Sequence, residues 1–553
     1  MSLIERRIGL LFALFVAMLC LVLVRAAWLQ AVNGGELSAD AQSQQLETVV
    51  VPAQRGAIVD RSGHELAVSE DAATVFATPY QVRNPERVAA KLAPVLGVER
   101  EEVARALADR HSGFAYLAHR IDLVAAERIR RLGIEGIGLI PDSRRIYPQG
   151  ELASQVIGSV GAENQGLTGL EASQEDVLGG IDGEREITYD ALGDELERDT
   201  LTETAAGENL RLTIDAGLQA RTEDVLAGIA DQYQPKGATA IVMDPRTAEV
   251  LAMANYPSRD PSDLDDATAD ELQNRSTGYT YEPGSTFKAF TVAGALEKGI
   301  VTPQTMFELP PTIKVADRVI EESHPRGPVT LSVADILAQS SNVGSVKIGL
   351  ELGAERFDKM VRAFGFGQPT GIDFPGEEQG IVLTPDDYSG STMGNLPIGQ
   401  GLSVTPIQMA AGYAAIANGG VLYEPRLVLR EGGEPVEAPE GERVISKDNS
   451  AKLRQMLAGV LNPGGTASEV SVPGFSLAGK TGTAQKVVDG TYSDTRFVAS
   501  FTGFAPVDDP RLLVSIMVDE PQGDYYGGTV AAPAFGEIAS FALPYLGVEP
   551  DAG

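Results

Sequence analysis

The sequence predicts an α+β protein held to a membrane by one N-terminal helix, and three observations predict it. An uninterrupted apolar run, Ile8 to Val24, stands near the start of the chain. Short apolar strands gather at both ends of the segment from Asn209 to about residue 545. The middle of that segment is helical in pattern, which implies an antiparallel sheet with a large helical block packed on it. At 553 residues the chain is long enough for roughly two to four domains.

Arg6 and Arg7 precede the apolar run, Arg25 follows it, and Ala26, Ala27, Trp28 and Leu29 continue the helix to an interfacial aromatic. The run is longer than the apolar core of a cleaved signal and meets no small-x-small cleavage site. With Arg25 snorkelling, the span is just long enough for a bilayer. Basic residues ahead of it place the N-terminus inside and the chain from about residue 33 outside. Residues 1–7 are then a cytoplasmic tail, 8–29 the anchor and 30–50 a polar juxtamembrane stalk. The lone cysteine, Cys20, falls in lipid, so no intramolecular disulfide and no cysteine zinc site is expected. His64, His111, His119 and His324 show no metal spacing, and neither a metal nor a cofactor is expected. A formal net charge of −33 argues against nucleic acid as a partner.

Residues 51–193 read as an N-terminal domain. Arg55 to Ala67 is a strand, a tight turn and a strand. An α/β insert, residues 84–140, has helices from Asn84-Pro85, from Glu99 and from Val124, with strands near Phe114–Leu117 and Ile137–Ile140. An acidic stretch, 194–208, reads as a linker. From Asn209 the order is strand, a helix over Ala216–Tyr233, and a hairpin of Ala238–Met243 and Val250–Asn255. After the helical block come strands over Phe475–Val487, Phe497–Ala505 and Leu512–Asp519. Residues 209–545 make the second domain, and 546–553 a disordered tail.

One stretch carries chemistry, Tyr281-Glu282-Pro283-Gly284-Ser285-Thr286-Phe287-Lys288. Pro283 and Gly284 launch a helix whose apolar residues imply burial, and Gly299 ends it as a left-handed cap. Ser285 and Lys288 share a face of its first turn. A lysine in apolar surroundings has its pKa lowered until it can take a serine's proton, and the helix start offers N–H groups to an oxyanion. Ser-x-x-Lys alone is cheap. Two further stretches supply what it lacks. Ser340-Ser341-Asn342, between two helices, can relay a proton and hold a lysine. Lys480-Thr481-Gly482-Thr483, in a strand, offers a cation and hydroxyls to a carboxylate, and Gly482 admits a close backbone.

Ser-x-x-Lys, Ser-x-Asn and Lys-Thr-Gly in this order are the signatures of penicillin-binding proteins and serine β-lactamases. Arg55 to Ala67, Arg145 to Gly158 and Gly166 to Glu171 resemble the N-terminal pedestal motifs of class B penicillin-binding proteins, as do the single anchor and the lack of a glycosyltransferase domain. A departure is Ala248, where the hairpin usually carries glycine. The resemblance implies acylation of Ser285 by a stem peptide ending in two D-alanines, with Lys288 as proton acceptor and the N–H groups of Ser285 and Thr483 as oxyanion hole. Ser340, oriented by Lys288, Asn342 and Lys480, would protonate the leaving D-alanine. Lys480, Thr481 and Thr483 would hold the terminal carboxylate that β-lactams imitate, and an amine would resolve the acyl-enzyme into a cross-link. Ser340-Ser341-Asn342-Val343-Gly344 is similar to the division-specific members, which implies a role at the septum of a bacterial inner membrane. An elongation-specific transpeptidase is the alternative. A β-lactamase, a carboxypeptidase or a non-catalytic sensor fits less well. The resemblance also implies a SEDS-family glycosyltransferase and divisome membrane proteins as partners. Arg55, Asp60, Arg61, Arg145 and Glu171 are either a structural ion-pair network or a path for activation.

Overall fold

The structure is a computed structural model that describes residues 3–31, 46–110, 112–189 and 195–552. Most of the predicted stalk, His111, the first residue of the predicted linker and the last of the tail lie outside them. The chain divides into two compact units, one of Met1–Gln54, Glu70–Arg144 and Gly180–Ala206, the other of Arg55–Ser69, Arg145–Gly179 and Gly207–Gly553.

In the first unit the apolar run lies in a helix, Leu3–Ala31. Its Arg6–Trp28 portion is 23 residues long with a mean hydropathy of 2.7, sufficient by length and composition to cross a bilayer. Leu46–Val51, Gly183–Tyr189 and Glu195–Thr202 form an antiparallel three-stranded sheet. The end of the predicted stalk and most of the predicted linker are therefore strands. Glu195–Thr202 is mostly charged or polar and pairs with Gly183–Tyr189 just before it, whereas Val49 to Val51 is a β-branched run whose partner, the same Gly183–Tyr189, lies far along the chain. The α/β insert has the predicted helices, at Pro85–Leu96, Arg100–Ala108 and Leu123–Leu132. Asn84 caps the first by accepting from the Arg87 N–H, and Asp122 caps the third through Ala125. They bury Leu92, Val103, Leu107 and Ile129 against Val75 and Leu117 of the neighbouring strands.

The second unit is built on a five-stranded antiparallel sheet, in the order Glu249–Tyr256, Gly237–Asp244, Leu512–Asp519, Thr491–Ala505, Ala478–Val488. Except toward the Asp489–Gly490 end of the last hairpin, its strands are buried on both faces, and alternation decides which core each side chain joins. Ala240, Val242, Val514 and Ile516 pack with Leu226 and Ile229 of the Ala216–Tyr233 helix and with Phe535 and Ile538 of Ala532–Tyr545. Ile241, Met243, Leu513 and Met517 face the larger core, which holds the Lys288–Glu297, Asn342–Leu352 and Pro406–Ala417 helices.

Three expectations are corrected in this unit. The strand expected from Phe475 starts at Ala478, and the one expected from Phe497 starts at Thr491. The two form one hairpin turning at Asp489 and Gly490, whose φ values of 51° and 79° match the Asp-Gly turn of right-twisted hairpins. The tail is docked: the Asp551 and Ala552 N–H groups donate to the Gly474 carbonyl, and Ser476 N–H donates to Asp551 Oδ1 at 2.8 Å. Ala248 sits at φ 55°, the left-handed region where a Cβ costs about 1 kcal/mol, so glycine would be relaxed there.

Candidate active site

The stretch 283–288 folds as one 3-10 turn, Gly284–Phe287, running into the helix Lys288–Glu297. Below it an aromatic cluster holds the turn in place. Phe287 packs on Phe290 and Phe366, Phe290 on Phe364 and Tyr413, with ring centroids 4.9–5.4 Å apart. Tyr413 also donates its hydroxyl to the Thr286 carbonyl at 2.7 Å. The turn lies against the Ala478–Val488 strand so closely that two glycines are required. A Cβ on Gly482 would stand 2.3 Å from Ser500 Oγ and 2.9 Å from the Pro283 carbonyl oxygen. Gly284 has φ 54°, and a Cβ there would meet the Thr483 carbonyl oxygen at 3.0 Å.

A cleft of about 660 Å³ opens above this junction and is lined by Ser285, Ser340, Asn342, Thr481 and Thr483. Gly482 shares that strand. Lys288 and Lys480 lie under it, both fully buried. Lys288 Nζ donates to the Ser340 carbonyl at 2.6 Å, to Ser340 Oγ at 3.2 Å and to Asn342 Oδ1 at 2.7 Å. Three acceptors suit an ammonium, yet burial works against the charge. Burial prevails and pushes the Lys288 pKa down to about 7, with the Glu322 carboxylate opposing it. Lys480 donates to the Thr481 carbonyl and hydroxyl at 3.2 and 3.3 Å. Burial, and then the nearby charge of Lys288, hold its pKa well below the ordinary lysine range. Thr483 Oγ1 accepts the Gly527 N–H at 3.0 Å, and the hydroxyls of Thr481 and Thr466 are 2.7 Å apart. All eight residues expected from the three motifs thus meet at one site: Ser285, Lys288, Ser340, Asn342, Lys480, Thr481, Gly482 and Thr483.

Arg55, Asp60, Arg61, Arg145 and Glu171 lie elsewhere in this unit and do not form one network. Arg55 Nε and Arg145 Nε grip the two oxygens of Glu171 at 3.0 and 2.6 Å, with all three side chains at 0–1% exposure. Arg145 adds a bond to the Gly56 carbonyl at 2.8 Å. Asp60 closes its own turn through the N–H groups of Ser62 and His64 and accepts the Ala216 N–H at 3.2 Å. Burial raises its pKa, but these bonds outweigh that and leave it below the usual carboxylate range. Arg61 pairs with Glu249 at 3.4 Å, the carboxylate that Arg426 holds at 2.6 Å.

Sequence reasoning missed Glu322, which bonds Ser341 and Asn342. It also missed an aromatic wall of the cleft, where Phe497 stacks on Tyr525 at 4.1 Å and His324 on Tyr526 at 5.5 Å. Glu322 stands among polar residues far from either motif in sequence, and no local pattern marks it. The Tyr525-Tyr526 pair before Gly527-Gly528 was the available signal for the wall.

A family model described as the penicillin binding protein transpeptidase domain matches residues 238–540, and one described as the penicillin-binding protein dimerisation domain matches 50–212. Stage V sporulation protein D of Bacillus subtilis is 36% identical over 558 residues, covering 98% of this chain and 86% of that protein. The peptidoglycan D,D-transpeptidase FtsI of Escherichia coli K12 is 33% identical over 558 residues, covering 99% and 93%. The crystal structure of penicillin-binding protein 3 from Mycobacterium tuberculosis in complex with aztreonam aligns with a TM-score of 0.72 at 30% identity, over 91% of this chain and 99% of that one. Matched over nearly its whole length by such relatives, the chain belongs to the penicillin-binding proteins, as a class B D,D-transpeptidase.

Proposed function

We propose that this chain cross-links septal peptidoglycan through an acyl-enzyme on Ser285. The observation that carries the reading is the buried Lys288, with a pKa near 7, on the first helical turn after Ser285. In its neutral form Lys288 takes the Ser285 proton as Oγ attacks the carbonyl between two D-alanines. The N–H groups of Ser285 and Thr483 receive the oxyanion, one from the turn and one from the strand beside it. The proton then returns through Ser340 to the departing amine as the tetrahedral intermediate collapses to the ester and free D-alanine. Asn342 steadies Lys288 throughout. Lys480, Thr481 and Thr483 hold the terminal carboxylate, and the closed ring of a β-lactam presents the same carboxylate and carbonyl. An amine from a second stem attacks the ester, restores Ser285 and leaves a cross-link.

The septal assignment rests on the Ser340 to Gly344 signature and on the FtsI-type relatives. It implies a bitopic protein with a cytoplasmic N-terminus, acting beside a SEDS-family glycosyltransferase and divisome membrane proteins. Depletion of the chain is expected to give filaments, with a fluorescent fusion of the intact chain at midcell. Spherical cells with a dispersed fusion would assign it to elongation and remove the divisome partners. Residues 51–193 serve as the pedestal with its 84–140 insert, and 209–545 as the transpeptidase domain. Within the pedestal we read Arg55, Arg145 and Glu171 as a structural clasp.

A further inference from the structure

Glu322 belongs to none of the three motifs, yet its carboxylate is bonded into one of them. Its Oε1 accepts the Ser341 hydroxyl at 2.6 Å, and its Oε2 accepts the Asn342 N–H at 2.7 Å. Arg326 pairs with Oε1 and also donates to Ser341 Oγ at 2.9 Å. Ser341 Oγ in turn accepts the Gly344 N–H at 3.0 Å and so caps the helix Asn342–Leu352. The residue carried on this turn, Ser340, has φ 59°, a left-handed conformation that a side chain tolerates only when its surroundings impose it. The Glu322 side chain is only 7% exposed. Burial works against its charge, but the bonds from Ser341, Arg326 and Asn342 prevail and hold the carboxyl below its ordinary range. It is therefore ionised wherever Lys288 titrates.

We propose that Glu322 is a positioning residue for acylation: its carboxylate pins the turn that presents Ser340 and Asn342, and through that turn the amine of Lys288. This rests on the reading of Lys288 as the base. Glu322 takes no proton itself. It acts in two ways, by geometry through Ser341 and the Asn342 N–H, and by field, because a fixed negative charge favours the lysine's proton. The other charges bearing on Lys288 are Lys480, on the strand, which repels its proton, and Arg326, which offsets part of the Glu322 charge. His324 and Glu469 line the cleft above, and Ser340 and Asn342 are uncharged.

The two effects have different signatures. Losing the pin slows acylation at every pH, whereas losing the charge lowers the Lys288 pKa and moves the acid limb of the rate profile toward lower pH. The test is the second-order rate of labelling by a fluorescent penicillin, for the full chain in detergent, between about pH 5.5 and 9. Wild type should show an acid limb with its midpoint near pH 7. Glu322→Gln should lower the plateau about tenfold or more and shift the midpoint downward. Glu322→Asp keeps the charge and should hold the wild-type midpoint with a smaller plateau loss. A wild-type limb that Glu322→Gln leaves in place overturns the proposal, whether or not the plateau falls, and leaves the Lys288 assignment standing. A wild-type profile with no acid limb overturns both.

Discussion

Replacing Lys288 by methionine is expected to leave a folded protein that is labelled by a fluorescent penicillin about a hundredfold to ten-thousandfold more slowly. The two halves of this expectation come from the same burial. Lys288 is fully enclosed, and an apolar chain of similar length avoids the cost of a dehydrated ammonium. It leaves the Ser340 carbonyl and Asn342 Oδ1 without their donor, a loss of about 1–3 kcal/mol that is small beside the stability of a whole domain. The Ser285 turn is held by the aromatic cluster under it and by the Tyr413 hydroxyl on the Thr286 carbonyl, neither of which needs the lysine. On the proposed mechanism, what the substitution removes is the acceptor for the Ser285 proton. Labelling rate and melting temperature measured on the same sample separate the two halves. A folded Lys288→Met chain labelled at the wild-type rate would remove Lys288 from the chemistry.

Substituting Glu171 by alanine should have the opposite character, damaging the fold more than the chemistry. Glu171 is the shared partner of Arg55 and Arg145, and all three side chains are inaccessible to solvent. Arg55 keeps Glu175, a half-exposed carboxylate 2.8 Å away. Among the described residues Arg145 keeps only the Gly56 carbonyl and the Ser69 hydroxyl, and one of its terminal nitrogens is already without a bond. Breaking a buried pair by removing one member strands the other, at a cost of about 3–5 kcal/mol. The expected readout is a clear fall in melting temperature, with the surviving folded fraction still labelled by penicillin. A loss below about 1 kcal/mol, the range of exposed ion pairs, would mean that water or local rearrangement compensates for the missing carboxylate.

How much of this was legible in the sequence follows from how local each cause is. The three motifs were legible because each is a few consecutive residues at the start of a helix or within a strand. The Ala216–Tyr233 helix stands at its expected bounds, and in the structure Asp215 caps it by accepting the Gly217 and Leu218 N–H groups. Their convergence could be inferred only from likeness to a family, because no local pattern says that residues 288, 342 and 480 share a site. The aromatic floor was half legible: Phe287 lies in the motif turn and Phe290 in the helix that follows, whereas Phe364, Phe366 and Tyr413 come from far along the chain. The Val488–Thr491 turn carried an Asp-Gly signal that was overlooked because polar residues around it hide the alternation. The Glu195–Thr202 strand and the docked tail gave no such signal. The strand pairs with Gly183–Tyr189 just before it but is made mostly of charged and polar residues, whereas the tail depends on Gly474 and Ser476, far away in sequence.

The pedestal shows the same limit. Arg55–Ser69 and Arg145–Gly179 read as parts of an N-terminal domain, yet they fall in one compact unit with the residues that bear the catalytic motifs. The reason is chemical. Glu171 binds Arg55 and Arg145 across a long stretch of chain, and Arg61 and Asp60 are tied to Glu249 and Ala216. Ion pairs at such separations leave no periodicity to read, though charged residues in otherwise apolar segments mark where to look.

The central claim is that Ser285 carries the acyl group and that an amine removes it. The mass of the proteolytic peptide containing Ser285 tests this most directly, after brief exposure of the full chain to a glycan-linked stem peptide ending in D-alanyl-D-alanine. The account predicts that this peptide gains the mass of the donor less its terminal D-alanine, and that the gain disappears on adding an acceptor amine as cross-linked peptide forms. An unmodified Ser285 peptide with the adduct elsewhere, or an adduct that clears only to uncross-linked stem peptide, would contradict it.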